Sequence, residues 1–368
     1  MSLFEELGIS PFINAHDTYT IYGGSRASAE VLEAMREGAK HFVDLEMLQR
    51  KLGQVIAQKT NNEGAYITNG AAGALLLSAC VCMVKGKQYE YSRLPATAGI
   101  KNEIIIMRAQ RNAYDTAIKA SGAAIIEIGD ADETLDYELE GSINDQTAAV
   151  FYFASSLYER GSLSLDETIR IAHKYGVPVV VDAAAQLPPV TNLWKYTQKG
   201  ADLVIFSGGK TLCGPQDSGL ILGKRNFIED CFRFGPPHHG LCRFLKTSRE
   251  SMLGLYVALT RYLETDHEQN YKDMLKRNQV IEGQLKDSDK VKKMEMVHQG
   301  PVGQEYPRLF IYLNEDTKAE DMKKSMYQKN IYIGIEPGLN ALYISPLNLT
   351  DKEAHVVAQA LVESIYNF

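Results

Sequence analysis

Between about residue 100 and residue 224 the chain alternates short, continuous apolar runs with longer stretches whose apolar residues recur every three or four positions. The runs at 103–107, 124–128, 147–153, 177–182, 201–207 and 218–223 read as strands. Because they are unbroken and do not alternate with polar residues, they require cover on both faces. The stretch 165–175 has helical spacing, and Ser164 followed by Glu167 gives it a capping box at its start. Strands and helices in this order predict an α/β fold with a mostly parallel central sheet.

After Gly223 the rhythm changes. Helical spacing occupies 225–233 and 249–286, strands are expected near 291–297, 308–313, 331–335 and 341–346, and helices near 317–329 and 351–366. Thr350 and Glu353 form a second capping box. The expected division is an N-terminal segment, 1–45, packing on the small domain or on a partner subunit, then a large α/β domain over 46–248. A bridging helix with a smaller α+β C-terminal domain would fill 249–368.

A chain of 368 residues, 45% of them hydrophobic, has ample material for a large core. Its formal charge of -7 makes nucleic acid an unexpected partner, since phosphate neutralisation needs clustered Lys and Arg. The five cysteines make no CxxC pair, and His238-His239 stands without a partner cluster, so no metal is assigned and a reducing cytoplasm is expected. The segment 71–84 is too short to cross a bilayer comfortably, and the N-terminus lacks a basic stretch followed by an apolar run, so neither a membrane nor export is expected.

Two buried strands end in ionisable groups. One ends in Asp182, and the other runs into Ser207-Gly208-Gly209-Lys210. In open α/β sheets ligands sit beyond the carboxyl ends of the strands, which brings both groups to one rim. Their chemistry is complementary: a carboxylate keeps a pyridine nitrogen protonated, and a lysine amine can hold an aldehyde cofactor as a Schiff base. The two glycines would let the backbone turn sharply and bring the amine to a flat cofactor. Taken singly, Asp182 reads equally as a helix cap and the Ser-Gly-Gly-Lys run as a surface turn. Together they point to pyridoxal 5'-phosphate (PLP).

The phosphate has a cradle in Tyr66-Ile67-Thr68-Asn69-Gly70-Ala71-Ala72-Gly73, a short strand followed by small residues opening a helix, with Ser207 as a hydroxyl donor. The same glycines can instead serve helix packing. For the ring, Arg111, Asn112 and Tyr114 follow the strand at 103–107 at the same rim, although Tyr114 also reads as a helix core aromatic and Arg111 as a solvated charge. Cys213 reads as a small packing residue.

These residues resemble the selenocysteine synthase-like family of fold-type I PLP enzymes, which includes L-seryl-tRNA(Sec) selenium transferase and D-glucosaminate-6-phosphate ammonia-lyase. The resemblance covers most of the chain. It is carried by Phe12-Ile13-Asn14-Ala15, Tyr19-Thr20, Gly23-Gly24-Ser25-Arg26, His41-Phe42-Val43-Asp44-Leu45 and Thr68-Asn69-Gly70-Ala71-Ala72. Further on it rests on Gln110-Arg111-Asn112-Ala113-Tyr114-Asp115, on Val181-Asp182-Ala183-Ala184-Ala185-Gln186-Leu187-Pro188-Pro189, and above all on the run from Ser207 to Gly219. It implies a large PLP domain of the aspartate aminotransferase type, Lys210 as the Schiff-base lysine and Asp182 on the pyridine nitrogen. It places Gly70, Ala71, Ala72 and Ser207 near the phosphate and Gln110, Asn112, Tyr114 and Ala184 among the cofactor contacts.

The chain departs from the family pattern at Gln110, where a histidine beside or over the ring is expected, and at Arg249, where a lysine is expected. Arg243 and Lys246 lie in a family loop that is usually richer in lysine; they are read either as binding an anionic substrate group or a neighbouring subunit, or as a solvated helix start. The family pattern begins near residue 10, so the extra N-terminal domain of the bacterial tRNA-using members is expected to be absent. With the acidic charge, this favours a small amino acid or amino-sugar acid substrate and the ammonia-lyase branch. The resemblance also implies a homodimer or higher homo-oligomer, with the loop near 235–247 reaching across.

The expected reaction is a PLP-dependent α,β-elimination giving a 2-oxo acid and ammonia, with Lys210 as general base. Arg308 is the first candidate for the substrate carboxylate and Arg26 the second. The alternatives are a selenium transferase acting on seryl-tRNA and a non-catalytic binding protein of the same fold. A nicotinamide dehydrogenase is disfavoured because no GxGxxG follows the first strand.

Overall fold

The computed structural model describes residues 2–366. Its strands in chain order are β1 (Ile13–Ala15), β2 (Gly64–Thr68), β3 (Glu103–Met107), β4 (Ala124–Ile128), β5 (Thr147–Phe153), β6 (Val179–Asp182), β7 (Leu203–Ser207), β8 (Gly219–Gly223), β9 (Val291–Val297), β10 (Arg308–Leu313), β11 (Ile331–Ile335) and β12 (Ala341–Ile344). The chain divides into two compact units, one of Ala27–Glu264 and one of Met1–Arg26 with Thr265–Phe368.

The larger unit holds a seven-stranded sheet in the order β2-β8-β7-β6-β5-β3-β4. Strands β3 to β7 pair in parallel, and β8 runs antiparallel to both of its neighbours. The reversal has a local cause. Each parallel pair is joined through a helix, whereas only a helix-free loop joins β7 to β8, so the chain has to turn back.

Successive residues of one strand feed opposite faces. Val180 and Ile205 enter the core on one side, while Val179, Val181 and Val204 enter the core on the other. This is why the strands read as unbroken apolar runs. The helix Gly70–Val84 is buried continuously from Gly73 to Val84, so it is apolar all round and shows no amphipathic stripe. Truncating a core residue such as Ile205 to Ala would cost about 2–5 kcal/mol, through lost burial and the cavity left behind.

The smaller unit holds a five-stranded sheet in the order β1-β11-β12-β10-β9, with β1 parallel to β11 and the remaining pairs antiparallel. The side chains of β10, β11 and β12 that face the core meet helices His267–Leu285, Ala319–Gln328 and Asp351–Tyr366.

Three features of the fold differ from what the sequence predicts. The expected N-terminal segment 1–45 divides at Arg26: β1 joins the small sheet, while helix Ala29–Lys40 belongs to the larger unit. The boundary expected at 248/249 falls at 264/265. The single helix expected over 249–286 is two, Arg249–Glu264 and His267–Leu285. Asp266 starts the second by accepting a hydrogen bond from the Gln269 backbone N–H at 2.9 Å, and helical periodicity across 249–286 hides that cap. No helix among the described residues is long and apolar enough to cross a membrane.

Candidate active site

The carboxyl ends of the parallel strands place Asp182, Ser207 and the residues after Met107 on one rim of the large sheet. Asp182 pairs in register with Phe153 on one side and with Ile205 on the other. Lys210 follows two glycines beyond the end of β7. The Asp182 carboxyl accepts a hydrogen bond from the Ala184 N–H at 2.9 Å. Asp182 keeps a small accessible surface at the floor of the rim, yet protein encloses it closely enough that burial raises its carboxyl above the ordinary value. The Ala184 N–H and the positive charge of Lys210 pull the other way.

The glycines before Lys210 make room for a neighbouring stretch of chain. A Cβ on Gly208 would fall 2.1 Å from Ser218 Oγ, and one on Gly209 would fall 2.7 Å from Gln216 Cα. They admit the returning segment 216–218 against the lysine turn, a close approach of protein to protein. The Cys213 N–H closes that turn on the Lys210 carbonyl at 2.9 Å, with Cys213 in the left-handed region at φ 55°.

Beside this turn stands the start of helix Gly70–Val84. Gly70 has φ +72°, which favours glycine, and Asn69 makes no side-chain cap. Ala71 is half-buried and Ala72 exposed, whereas the helix is buried from Gly73 onward. Asn69 Oδ1 is buried without a hydrogen-bond partner. An uncapped helix start of small residues, level with Ser207 across β8, suits a phosphate group. The carboxylate of Asp182 suits the pyridinium of the same cofactor. The residues present therefore fit PLP.

The residues expected at the ring differ in exposure. Gln110 is fully buried, with its Oε1 accepting from the Phe153 N–H at 2.8 Å and its Nε2 donating to Ser162 Oγ at 3.0 Å, so it has no face left for a ring. Arg111 is held by Asp115 and Glu127, each at 2.6 Å. Asn112 accepts from the Tyr114 N–H at 2.8 Å, and this turn leaves Tyr114 52% exposed above the rim. Tyr158, on the loop after β5, was not singled out by sequence; burial raises its hydroxyl, and the carboxylates of Asp182 and Asp115 add to the effect. Nothing in its sequence neighbourhood marks it, because its place depends on how the loop folds back.

Arg243 lies on the turn Leu241–Leu245 and Lys246 directly follows it; among the described residues neither forms an ion pair. Leu245 packs 3.7 Å from where a Cβ on Gly73 would stand, which seats this basic turn against the first turn of helix Gly70–Val84. Arg249 donates from Nε to the Gly38 carbonyl at 2.5 Å and so fastens its helix to Ala29–Lys40.

In the smaller unit the two carboxylate candidates part company. The fork of Arg26 is engaged by Glu353, at 2.8 and 2.7 Å. Arg308 is 8% exposed and donates from Nε to the Gln299 carbonyl at 2.9 Å. It forms no ion pair among the described residues.

The family model for L-seryl-tRNA selenium transferase matches residues 18–299. A D-glucosaminate-6-phosphate ammonia lyase from Salmonella typhimurium is 32% identical over 266 residues, 71% of this chain and 70% of that protein. A 5'-C-glycyluridine monooxygenase-decarboxylase from a Streptomyces species is 30% identical over 289 residues, 77% of this chain and 70% of that one. The solved structure of a D-glucosaminate-6-phosphate ammonia-lyase superposes with a TM-score of 0.86 at 25% identity, covering 100% of this chain and 99% of that one. An SPT with bound PLP, at 14% identity and TM-score 0.62 over 96% of this chain and 87% of that one, shares the fold alone. The architecture is that of the fold-type I PLP enzymes, and the chain belongs to the L-seryl-tRNA selenium transferase family of PLP-dependent enzymes.

Proposed function

We propose that the protein is a PLP-dependent lyase that removes ammonia from a small amino-sugar acid by α,β-elimination, with D-glucosaminate 6-phosphate as the leading substrate. The observation that carries the reading is the register of β6 and β7, which delivers Asp182 and Lys210 to the same rim beside an uncapped helix start. The 32% identity to an ammonia lyase, with a structural match over the full chain, supports this branch.

When bound, PLP supplies the electron sink that stabilises negative charge at the substrate α-carbon. The chain's own residues do the rest. The amine of Lys210 takes the α-proton as general base. Asp182 holds a proton on the ring nitrogen. The N–H groups at Gly70, Ala71 and Ala72 with the hydroxyl of Ser207 would hold the phosphate, and Tyr114 and Asn112 would stand by the ring. Arg308 is our candidate for the substrate carboxylate, and Arg243 and Lys246 for a second anionic group. The α-proton and the β-hydroxyl leave together as one water, with Lys210 returning the proton it took to the departing hydroxyl, and addition of one water to the released enamine gives ammonia and a 2-oxo acid.

A transferase acting on seryl-tRNA is the second reading, favoured by the family match over 18–299 and disfavoured by a net charge of -7. The five free thiols fit a cytoplasmic protein. Phe42, 97% exposed, and Met47, 64% exposed, fit the covered surface of a homodimer or larger homo-oligomer. The test is release of ammonia and 2-oxo acid from a panel of amino-sugar acids with and without a 6-phosphate. Release from D-glucosaminate 6-phosphate supports the reading; selenium or sulfur transfer to seryl-tRNA without such release would replace it.

A further inference from the structure

Arg308 and Phe310 lie on the same face of β10, and Tyr343 on β12 is the register partner of Phe310. The guanidinium carbon of Arg308 sits 5.1 Å from the centre of the Phe310 ring and 5.2 Å from that of Tyr343. These two rings are stacked, 5.6 Å apart, so they form a wall for a flat cation. The nearby acid is occupied: Asp17 accepts from the Tyr306 hydroxyl at 2.8 Å and from the Thr18 N–H at 2.6 Å. A buried guanidinium with one nitrogen engaged is costly unless an anion completes it.

Two features fix the Tyr343 ring. Gly334, its register partner on β11, leaves its place empty, because a Cβ there would fall 2.1 Å from Tyr343 Cζ. The ring therefore lies across β11 in the space a side chain would fill. Its hydroxyl then meets His16 Nε2 at 2.7 Å, and His16 Nδ1 meets the Tyr22 hydroxyl at 3.0 Å. Burial, with the charge of Lys323, lowers His16 to about 4, so at neutral pH the imidazole offers one donor and one acceptor to two hydroxyls.

We infer that Tyr343, propped by Gly334 and tied by His16, is the positioning residue that sets the plane in which Arg308 meets a substrate carboxylate. The inference rests on the reading that the substrate carries a carboxylate and that Arg308 receives it. A bidentate pair needs both nitrogens in the plane of the carboxylate, so a tilt of the guanidinium loses one of the two bonds while leaving the charge in place.

The test follows Arg308 directly in the holoenzyme. Phenylglyoxal labelling of Arg308 is read by peptide mass, alone and with saturating D-gluconate, which has the carboxylate and lacks the amine, or with D-glucitol, which lacks both. In the wild type gluconate should slow labelling by about tenfold, and glucitol should not. Tyr343→Phe and Gly334→Ala should each cut that protection to about twofold or less, as should His16→Ala; His16→Gln, which keeps a hydrogen-bonding group, should restore most of it. Protection unchanged in Tyr343→Phe and Gly334→Ala would overturn the positioning role. No protection in the wild type would also overturn it, even if ammonia is released from a substrate. The expected pattern without any ammonia release would leave this inference standing and remove the elimination reading.

Discussion

Gly219 packs directly on Gly70: a Cβ on Gly219 would fall 2.4 Å from the Gly70 carbonyl carbon and 2.5 Å from its oxygen. Gly219 is also the register partner of Thr68 on one side and of Ser207 on the other. One backbone contact thus fixes the start of helix Gly70–Val84 relative to the strand that precedes Lys210.

Gly219→Ala should separate those two parts. Overpacking at such a contact costs about 1–3 kcal/mol, and here the first turn of the helix is what must move. The apparent dissociation constant for PLP, followed by absorbance titration, should rise by about tenfold or more.

Asp182 sets stability against function. Its carboxyl is raised above the ordinary value of 3.8 by burial, so the folded chain binds a proton more readily than the unfolded one. As pH climbs from the ordinary value through the raised one, stability falls, and above it the carboxylate is a full liability in the cofactor-free protein. Asp182→Asn should remove that pH-dependent loss and raise the Tm of the cofactor-free protein at neutral pH, while lowering turnover of the holoenzyme by about 10²–10³-fold. Thermal scans across pH, paired with turnover at saturating PLP, check both halves.

Gln110→Ala should weaken the fold and spare the chemistry. It leaves the Phe153 N–H without its acceptor in a buried place, a cost of about 1–3 kcal/mol in denaturant unfolding. Because the side chain has no surface to offer a ring, the visible spectrum of PLP-loaded protein should stay that of the wild type.

The two arginines should separate in kinetics. Arg26→Ala breaks an ion pair whose arginine is 62% exposed, so stability should change by less than about 1 kcal/mol and KM should hold. Arg308→Ala should raise KM for a carboxylate substrate by at least about tenfold, as expected for loss of a charge-assisted pair.

Much of the framework could be read from the residues because apolar runs covered on both faces leave a plain record. The strands β3, β4 and β5 lie where the runs at 103–107, 124–128 and 147–153 are; Asp182 ends β6 and Lys210 lies just beyond β7. What escaped reading depends on contacts between distant parts of the chain. Gln110 looks like any polar residue after a strand until the Phe153 N–H and Ser162 meet it, and Arg26 carries no sign that Glu353 will fill its fork. Gly334 has no helix-capping or turn role that sequence could flag; it matters only because the Tyr343 ring lies over it.

Lys210 is the residue on which cofactor attachment turns. The direct measurement is borohydride reduction of the purified protein after incubation with PLP, with the visible spectrum recorded before and after and the adduct located by peptide mass, beside a Lys210→Ala variant. The wild type should show a visible band that reduction abolishes, with a pyridoxyl group fixed on Lys210, and the variant should carry no lysine-linked adduct at the site. A wild type that stays colourless in excess PLP, or an adduct fixed on a different lysine, would contradict it.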